Sequence, residues 1–151
     1  DLVPFRRMIS FGLSGIMAAH LIYPEVDRYP VGFSRIWLQD ILRKELQFEG
    51  CIFSDDLSMK GVAHFDSITE RATAALEAGC DMILVCNDTQ TVDELLSTLE
   101  WNISAASLAR LARMHGKKRF TSMITLREDG DYIQAVRDIS AIDGPKAILP
   151  F

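Results

Sequence analysis

Gly50-Cys51-Ile52-Phe53-Ser54-Asp55-Asp56-Leu57-Ser58-Met59 decides the fold. Its short apolar run reads as a buried strand, and it stops abruptly in two adjacent carboxylates. Polar groups at the C-terminal end of a buried parallel strand are where α/β barrels and open α/β sheets keep their chemistry. An unpaired charge in low dielectric is costly, so stability alone is a weak reason for two of them. Asp55 is therefore the candidate working residue, and the rest of the chain is read as its frame.

Working outward, Pro4 to Phe11 reads as the end of a helix feeding a strand over Gly15–His20. Tyr23 to Gly32, with two prolines, is a loop. Ser34 caps a helix running to about Phe48, with Ile36, Trp37, Ile41, Leu42 and Leu46 on one broad face. Gly50 breaks it. Beyond the quoted stretch and a loop to Asp66, Ser67 and Glu70 form a capping box that opens a helix carrying Ile68, Ala72, Ala75 and Leu76. Gly79 stands where a C-cap glycine belongs. Asp81–Cys86 is a third strand, apolar as a doubly covered parallel strand should be. Thr91 and Glu94 suggest a second capping box, for a helix striped by Val92, Leu95, Leu96 and Leu99.

This strand–helix alternation, repeated three times, demands a parallel sheet. Helices near 104–115, closed by Gly116, and near 131–142 follow, and 144–151 reads as a loose tail. Three parallel strands cannot close a barrel, which needs eight and about 250 residues. The chain is thus either a small open α/β domain or the C-terminal part of a barrel. A division into 1–116 and a helical extension, 117–151, follows.

The totals restrict the function classes. The chain has 151 residues, 48% apolar and 25% charged, with a net charge of -5, the composition of a globular domain with a core. No basic stripe argues for nucleic acid or an anionic membrane. Arg110, Arg113, Lys117, Lys118 and Arg119 read as a helix C-terminus with a solvated tail. Cys51, Cys80 and Cys86 fit no zinc spacing, and buried free thiols in a reducing compartment are expected. No signal peptide or membrane-spanning run is visible, and a start at Asp1 rather than Met suggests a piece of a longer chain.

Gly15-Ile16-Met17-Ala18-Ala19-His20, Phe48-Glu49-Gly50 with the quoted stretch, and Ala78-Gly79-Cys80-Asp81-Met82-Ile83-Leu84-Val85-Cys86-Asn87 together resemble one family. It is that of the bacterial β-N-acetylhexosaminidases of glycoside hydrolase family 3, over roughly Asp1 to Leu99. The resemblance implies a (β/α)₈ TIM-type barrel to which this chain gives the last three βα units. It also implies that Asp55 is the nucleophile of a retaining hydrolase, releasing N-acetylglucosamine from muropeptide-type substrates in cytoplasmic peptidoglycan recycling. The family's acid/base Asp–His pair and its sugar-gripping Lys-His and Arg positions fall before Asp1, so this piece alone is expected to be inactive.

A retaining glycosidase needs one ionised carboxylate under the anomeric carbon and a proton donor on the leaving-group side. Asp55, short and held at a strand end, suits a fixed attack geometry. Side chains alternate along a strand, so Asp56 points elsewhere and is expected to brace the strand end. His20, at another strand end, is a candidate sugar contact or a satisfied structural histidine. Met17 and Met59 flank the site as candidate contacts to the N-acetyl group, against core packing as the commoner fate. His64 is expected on an exposed loop, His115 beside a helix end, and Trp37 in the core. Asp81, Asn87 and Asp88 do not converge on ligand spacing, and no metal or cofactor is expected. The expected partners are N-acetylglucosamine-containing cell-wall fragments, with self-association of an incomplete barrel. Two rivals are weighed: a receiver-like Mg²⁺-binding signalling domain, which fails on order because the acidic pair follows the second strand rather than the first and Cys86-Asn87 offers no Lys, and a catalytically dead barrel fragment.

Overall fold

Cys51–Asp56, strand β2, lies at the centre of a three-stranded parallel sheet in the computed structural model, which describes residues 1–59, 65–116 and 122–142. His64, Lys117, Lys118, Arg119 and the tail from 143 lie outside the described residues. β1 (Gly15–Ala18) and β3 (Met82–Leu84) flank β2, so the strands lie in the order β1-β2-β3. Gly15 pairs with Cys51, Met17 with Phe53, Phe53 with Met82 and Asp56 with Leu84, the last two pairs separated by an irregularity.

Both outer strands are shorter than the sequence suggests, and β2's side chains are the reason for β3. The Leu84 amide donates to Ser54 Oγ and the Cys86 amide to Asp56 Oδ1. Side-chain acceptors there replace the backbone ladder, and Asn87 then turns away at φ 57°, a left-handed conformation that asparagine tolerates. Cys86 is left exposed, contrary to the expectation of three buried thiols, whereas Cys51 and Cys80 are buried and free. Burial pushes the Cys80 thiol up to about 12.

Helix α1 (Val3–Ser10) carries Pro4 in its first turn, where the missing N–H costs nothing. Val31–Phe33 forms a 3₁₀ turn within the expected loop. The helix expected from Ser34 is a π-helix over Ile36–Glu45, a rare winding at this length. Ser34 does cap it, its Oγ accepting the Trp37 amide, and the last turn closes as Leu46 N–H meets Ile41 C=O. The buried stripe is Leu38, Leu42 and Leu46, while Ile36 is exposed and Trp37 half-buried against Tyr23, because the wider turn rotates the face.

The Ser67–Glu70 capping box opens α2 (Ile68–Ala78), and Gly79 closes it at φ 125°, a conformation that favours glycine. Asp88, not Thr91, caps α3 (Thr89–Thr98): its carboxylate accepts both the Thr91 amide and the Thr91 hydroxyl. Only Leu95 of that helix is buried, and Leu96 is exposed. Ser104 caps α4 (Ala105–Arg113). Beyond it, His115 is exposed.

These helices cover one face of the sheet. Ile52 and Ser54 are fully buried there, under Leu38, Leu42, Ala72 and Ala75, whose small or slender side chains allow close approach. Each large side chain taken out of water contributes about 1.5–3 kcal/mol before entropy is counted. The other face carries Met17, Phe53 and Met82, and both methionines are exposed.

The N-terminal ends of the strands are locked by charge. Asp81 Oδ2 accepts from Arg43 Nη2 at 2.7 Å and from the Ile52 amide at 2.9 Å, and Oδ1 accepts from Arg110 Nη1 at 3.2 Å. Arg43 Nη1 also donates to the Phe48 and Gly50 carbonyls. Gly50 leaves no room for a side chain, since a Cβ would stand 2.5 Å from the Ser14 carbonyl.

Contacts divide the chain into two units, Asp1–His115 and Gly116–Phe151. The second holds α5 (Met123–Arg127), a helix the sequence reading lacked, and α6 (Gly130–Ile142). Ser122 and Thr125 form a capping box for α5. Among the described residues, no helix is long and apolar enough to cross a membrane.

Candidate active site

The C-terminal ends of the three strands converge on Asp56. Its Oδ1 accepts the Ser58 amide at 2.9 Å, the Ser58 hydroxyl at 2.8 Å and the Cys86 amide at 3.1 Å. Its backbone carbonyl accepts His20 Nε2 at 3.0 Å. One residue thus ties the end of β2 to the chain leaving β1 and to the chain leaving β3. Burial works to raise the Asp56 pKa, but the Ser58 and Cys86 donors and the nearby His20 outweigh it and hold the carboxyl below its usual range. Asp56 stands as the brace that strand alternation suggested.

Asp55 is held differently. Its Oδ1 accepts the Asp56 amide at 2.8 Å, and among the described residues Oδ2 has no hydrogen-bond partner and no cation pairs with the carboxylate. The side chain is half-buried. By alternation it shares the open face of the sheet with Phe53, and so with Phe53's register partner Met17. An apolar cavity of about 360 Å³ beside β1 takes in Met17 and Trp37 but not Asp55. Among the described residues Asp55 therefore stands on the open face of the sheet, apart from that cavity.

His20 is half-buried, its ring stacked on Phe33 at 5.4 Å between centroids. Nε2 donates to the Asp56 carbonyl, and Nδ1 is buried and without a partner among the described residues. Met17 and Met59 are both exposed, so neither is core in this chain. The structure brings Asp55, Asp56 and His20 to one rim, and Met59 follows in the turn, where its amide donates to the Asp56 carbonyl. Asp81 lies at the opposite strand ends in its ion pair, and Asp88 is consumed as a helix cap. The receiver-like reading fails on strand order: in that fold the first strand sits between the second and third, whereas here β2 is central.

The sequence reading missed Arg71. From the second turn of α2 its Nη1 donates to the Leu57 carbonyl at 2.9 Å and its Nη2 to the Phe65 carbonyl at 3.4 Å. A charged helix residue ordinarily signals a solvated face, so nothing in the local sequence marks it.

Parallel strands in sequential order, helices on one face and carboxylates at the C-terminal strand ends define an α/β unit of the kind used by catalytic barrels. The chain belongs to glycosyl hydrolase family 3: the pattern of the Glycosyl hydrolase family 3 N terminal domain matches residues 1–115. It is 57% identical over 142 residues to a Beta-hexosaminidase of Nitrosomonas eutropha, covering 94% of this chain and 41% of the relative. A Beta-hexosaminidase of Methylobacillus flagellatus is 52% identical over 151 residues, covering 100% of this chain and 43% of the relative. Among solved structures, native NagZ from Neisseria gonorrhoeae superposes with a TM-score of 0.75 at 37% identity, over 96% of this chain and 41% of that one. CbsA from Thermotoga neapolitana gives 0.66 at 29% identity, over 84% and 31%. The chain spans about two fifths of the length of the curated relatives it matches.

Proposed function

We propose that the protein carrying this chain is a retaining β-N-acetylhexosaminidase that removes terminal β-linked N-acetylglucosamine from muropeptide-type fragments in the bacterial cytoplasm. In this reading the chain is the C-terminal part of a (β/α)₈ barrel, residues 1–116, followed by a helical extension, 117–151. The sequential strand order and the open face with Met17, Phe53 and Met82 support it, because that face is where the remaining strands would close the lumen.

The observation that carries the chemistry is Asp55 Oδ2, without a partner among the described residues, at the C-terminal end of the central strand. An ionised carboxylate fixed through its other oxygen is poised to bond to the anomeric carbon. The sugar–oxygen bond breaks as a proton donor, which this reading places upstream of Asp1, protonates the leaving group. Water activated by that same group then releases the sugar with retained configuration. Asp56 braces the rim, and His20, Met17 and Met59 are proposed to line the sugar site. In the full-length protein, Asp55→Asn should lower turnover of a chromogenic N-acetylglucosaminide by about 10⁴-fold or more. Ordinary turnover by that variant ends the nucleophile assignment.

A further inference from the structure

The peptide after Asp56 is anchored from both sides. The Leu57 amide donates to the Leu84 carbonyl at 2.9 Å, its side chain is fully buried, and its carbonyl accepts Arg71 Nη1. The same guanidinium reaches the Phe65 carbonyl through Nη2. One side chain of α2 therefore holds both the residue leaving the β2 rim and the residue entering α2. Phe65 in turn packs on Phe33, with centroids 5.1 Å apart, and Phe33 stacks on His20, whose Nε2 donates to the Asp56 carbonyl. The contacts form a closed circuit: Arg71, Leu57, Asp56, His20, Phe33, Phe65 and back to Arg71.

We propose that Arg71 is a positioning residue for the reaction assigned to Asp55, a proposal that rests on the glycosidase reading. The guanidinium sets where the Leu57 peptide lies, and so the orientation of the Asp56 amide that holds Asp55 Oδ1. Arginine is the side chain suited to this. Its planar fork presents two parallel donors to two carbonyls at once and keeps its charge at every working pH, whereas an ammonium ion on a flexible stem satisfies one point and loses the geometry. The guanidinium lies half-buried, and its Nε–H has no acceptor among the described residues, so bulk water does not hold it in place. Removing it leaves the Leu57 carbonyl without a donor among the described residues, and because an unpaired acceptor is costly the turn must move to find a partner. A displacement of about 1 Å in a reacting group is enough to cost about 10²-fold in rate.

The test uses the full-length protein with Arg71→Lys and Arg71→Ala, and Arg35→Ala as the control. Arg35 also donates to a helix-end carbonyl, that of Glu77, but lies on the exposed surface. With a chromogenic N-acetylglucosaminide, both Arg71 variants should lose about tenfold or more in kcat while KM stays within about threefold. Free guanidinium ion should restore part of the Arg71→Ala turnover, a response that lost folding stability would not give. Amide hydrogen exchange at Ser58 and Met59 should quicken in both Arg71 variants and not in the control. Unchanged kcat, or a loss that follows thermal stability without rescue, overturns the proposal. If the parent cleaves no glycoside, the functional reading fails on its own, and unaltered exchange at Ser58 and Met59 would then sink the role of Arg71 separately.

Discussion

Replacing Asp81 by alanine should destabilise the protein severely while leaving the chemistry of the folded fraction intact. The side chain is 1% exposed and its main partner, Arg43, 9% exposed, so the pair lies almost wholly out of water. Arg110, at 18%, can turn toward Glu49 or solvent and adds little. At an effective dielectric of about 20, two unit charges about 4 Å apart attract by about 4 kcal/mol. Losing Asp81 also strands the Ile52 amide, at about 1–3 kcal/mol. Against this, Arg43 keeps its two carbonyl acceptors, which solvate part of the abandoned charge. The expected cost is about 3–5 kcal/mol, the range for breaking a buried ion pair from one side and a third or more of a typical domain's stability. Denaturant unfolding of the full-length variant reads this as a lower midpoint at unchanged slope. Asp81→Asn should fall between variant and parent, because the amide still accepts from Ile52. Changing both partners together, Asp81→Leu with Arg43→Met, should recover only the part due to the abandoned Arg43 charge, since the Ile52 amide and the Phe48 and Gly50 carbonyls still lose their partners. A loss under about 1 kcal/mol for Asp81→Ala would refute the argument.

Two further outcomes follow from the geometry. Asp56 has a folded pKa below its unfolded value of about 3.9, so its contribution is present above that value and fades as pH falls through the folded one. Asp56→Asn should thus be less stable than the parent at pH 7 by about 1 kcal/mol, a figure discounted for partial exposure, with the gap narrowing as pH falls below about 4 toward the folded value; a gap that stays constant from pH 7 down through that range contradicts this. In the 151-residue chain produced alone, the Met17–Met82 face and the outer edge of β1 have no cover among the described residues, so it should self-associate. Sedimentation of a stable monomer at micromolar concentration would contradict that.

The strand–helix rhythm was legible because each element carries its own period and its own stop signal. Ser67, Glu70 and Gly79 bracket α2 in sequence as they do in space. Winding was not legible: apolar residues four apart at Leu38, Leu42 and Leu46 suit an α-helix or a π-helix, and only the Leu46 N–H bond to Ile41 C=O, five residues back, shows which one formed. Asp88 and Thr91 are both good caps three residues apart, and only the geometry shows which accepts from which. Asp55 and Asp56 announced themselves as a pair at a strand end. Arg71 and Asp81 did not, because their partners lie 14 and 38 residues away along the chain and a charge in sequence carries no mark of burial.

The two ends of β2 are held by different physics, and the difference bears on Asp55. At the N-terminal end a carboxylate is saturated by two guanidinium groups and an amide, which fixes the strand but leaves Asp81 no reactivity. A nucleophile cannot be held that way, since a paired cation would lower the energy of the very electron pair that must attack carbon. At the C-terminal end the anchoring is displaced by one residue: Asp56, His20 and Arg71 grip carbonyls, amides and a neighbouring carboxylate, and among the described residues Asp55 is held through the Asp56 amide. Rigidity reaches Asp55 through the backbone while its outer oxygen stays uncommitted among the described residues. That separation of anchoring from charge pairing is what a strand end must provide if the carboxylate on it is to act as a nucleophile.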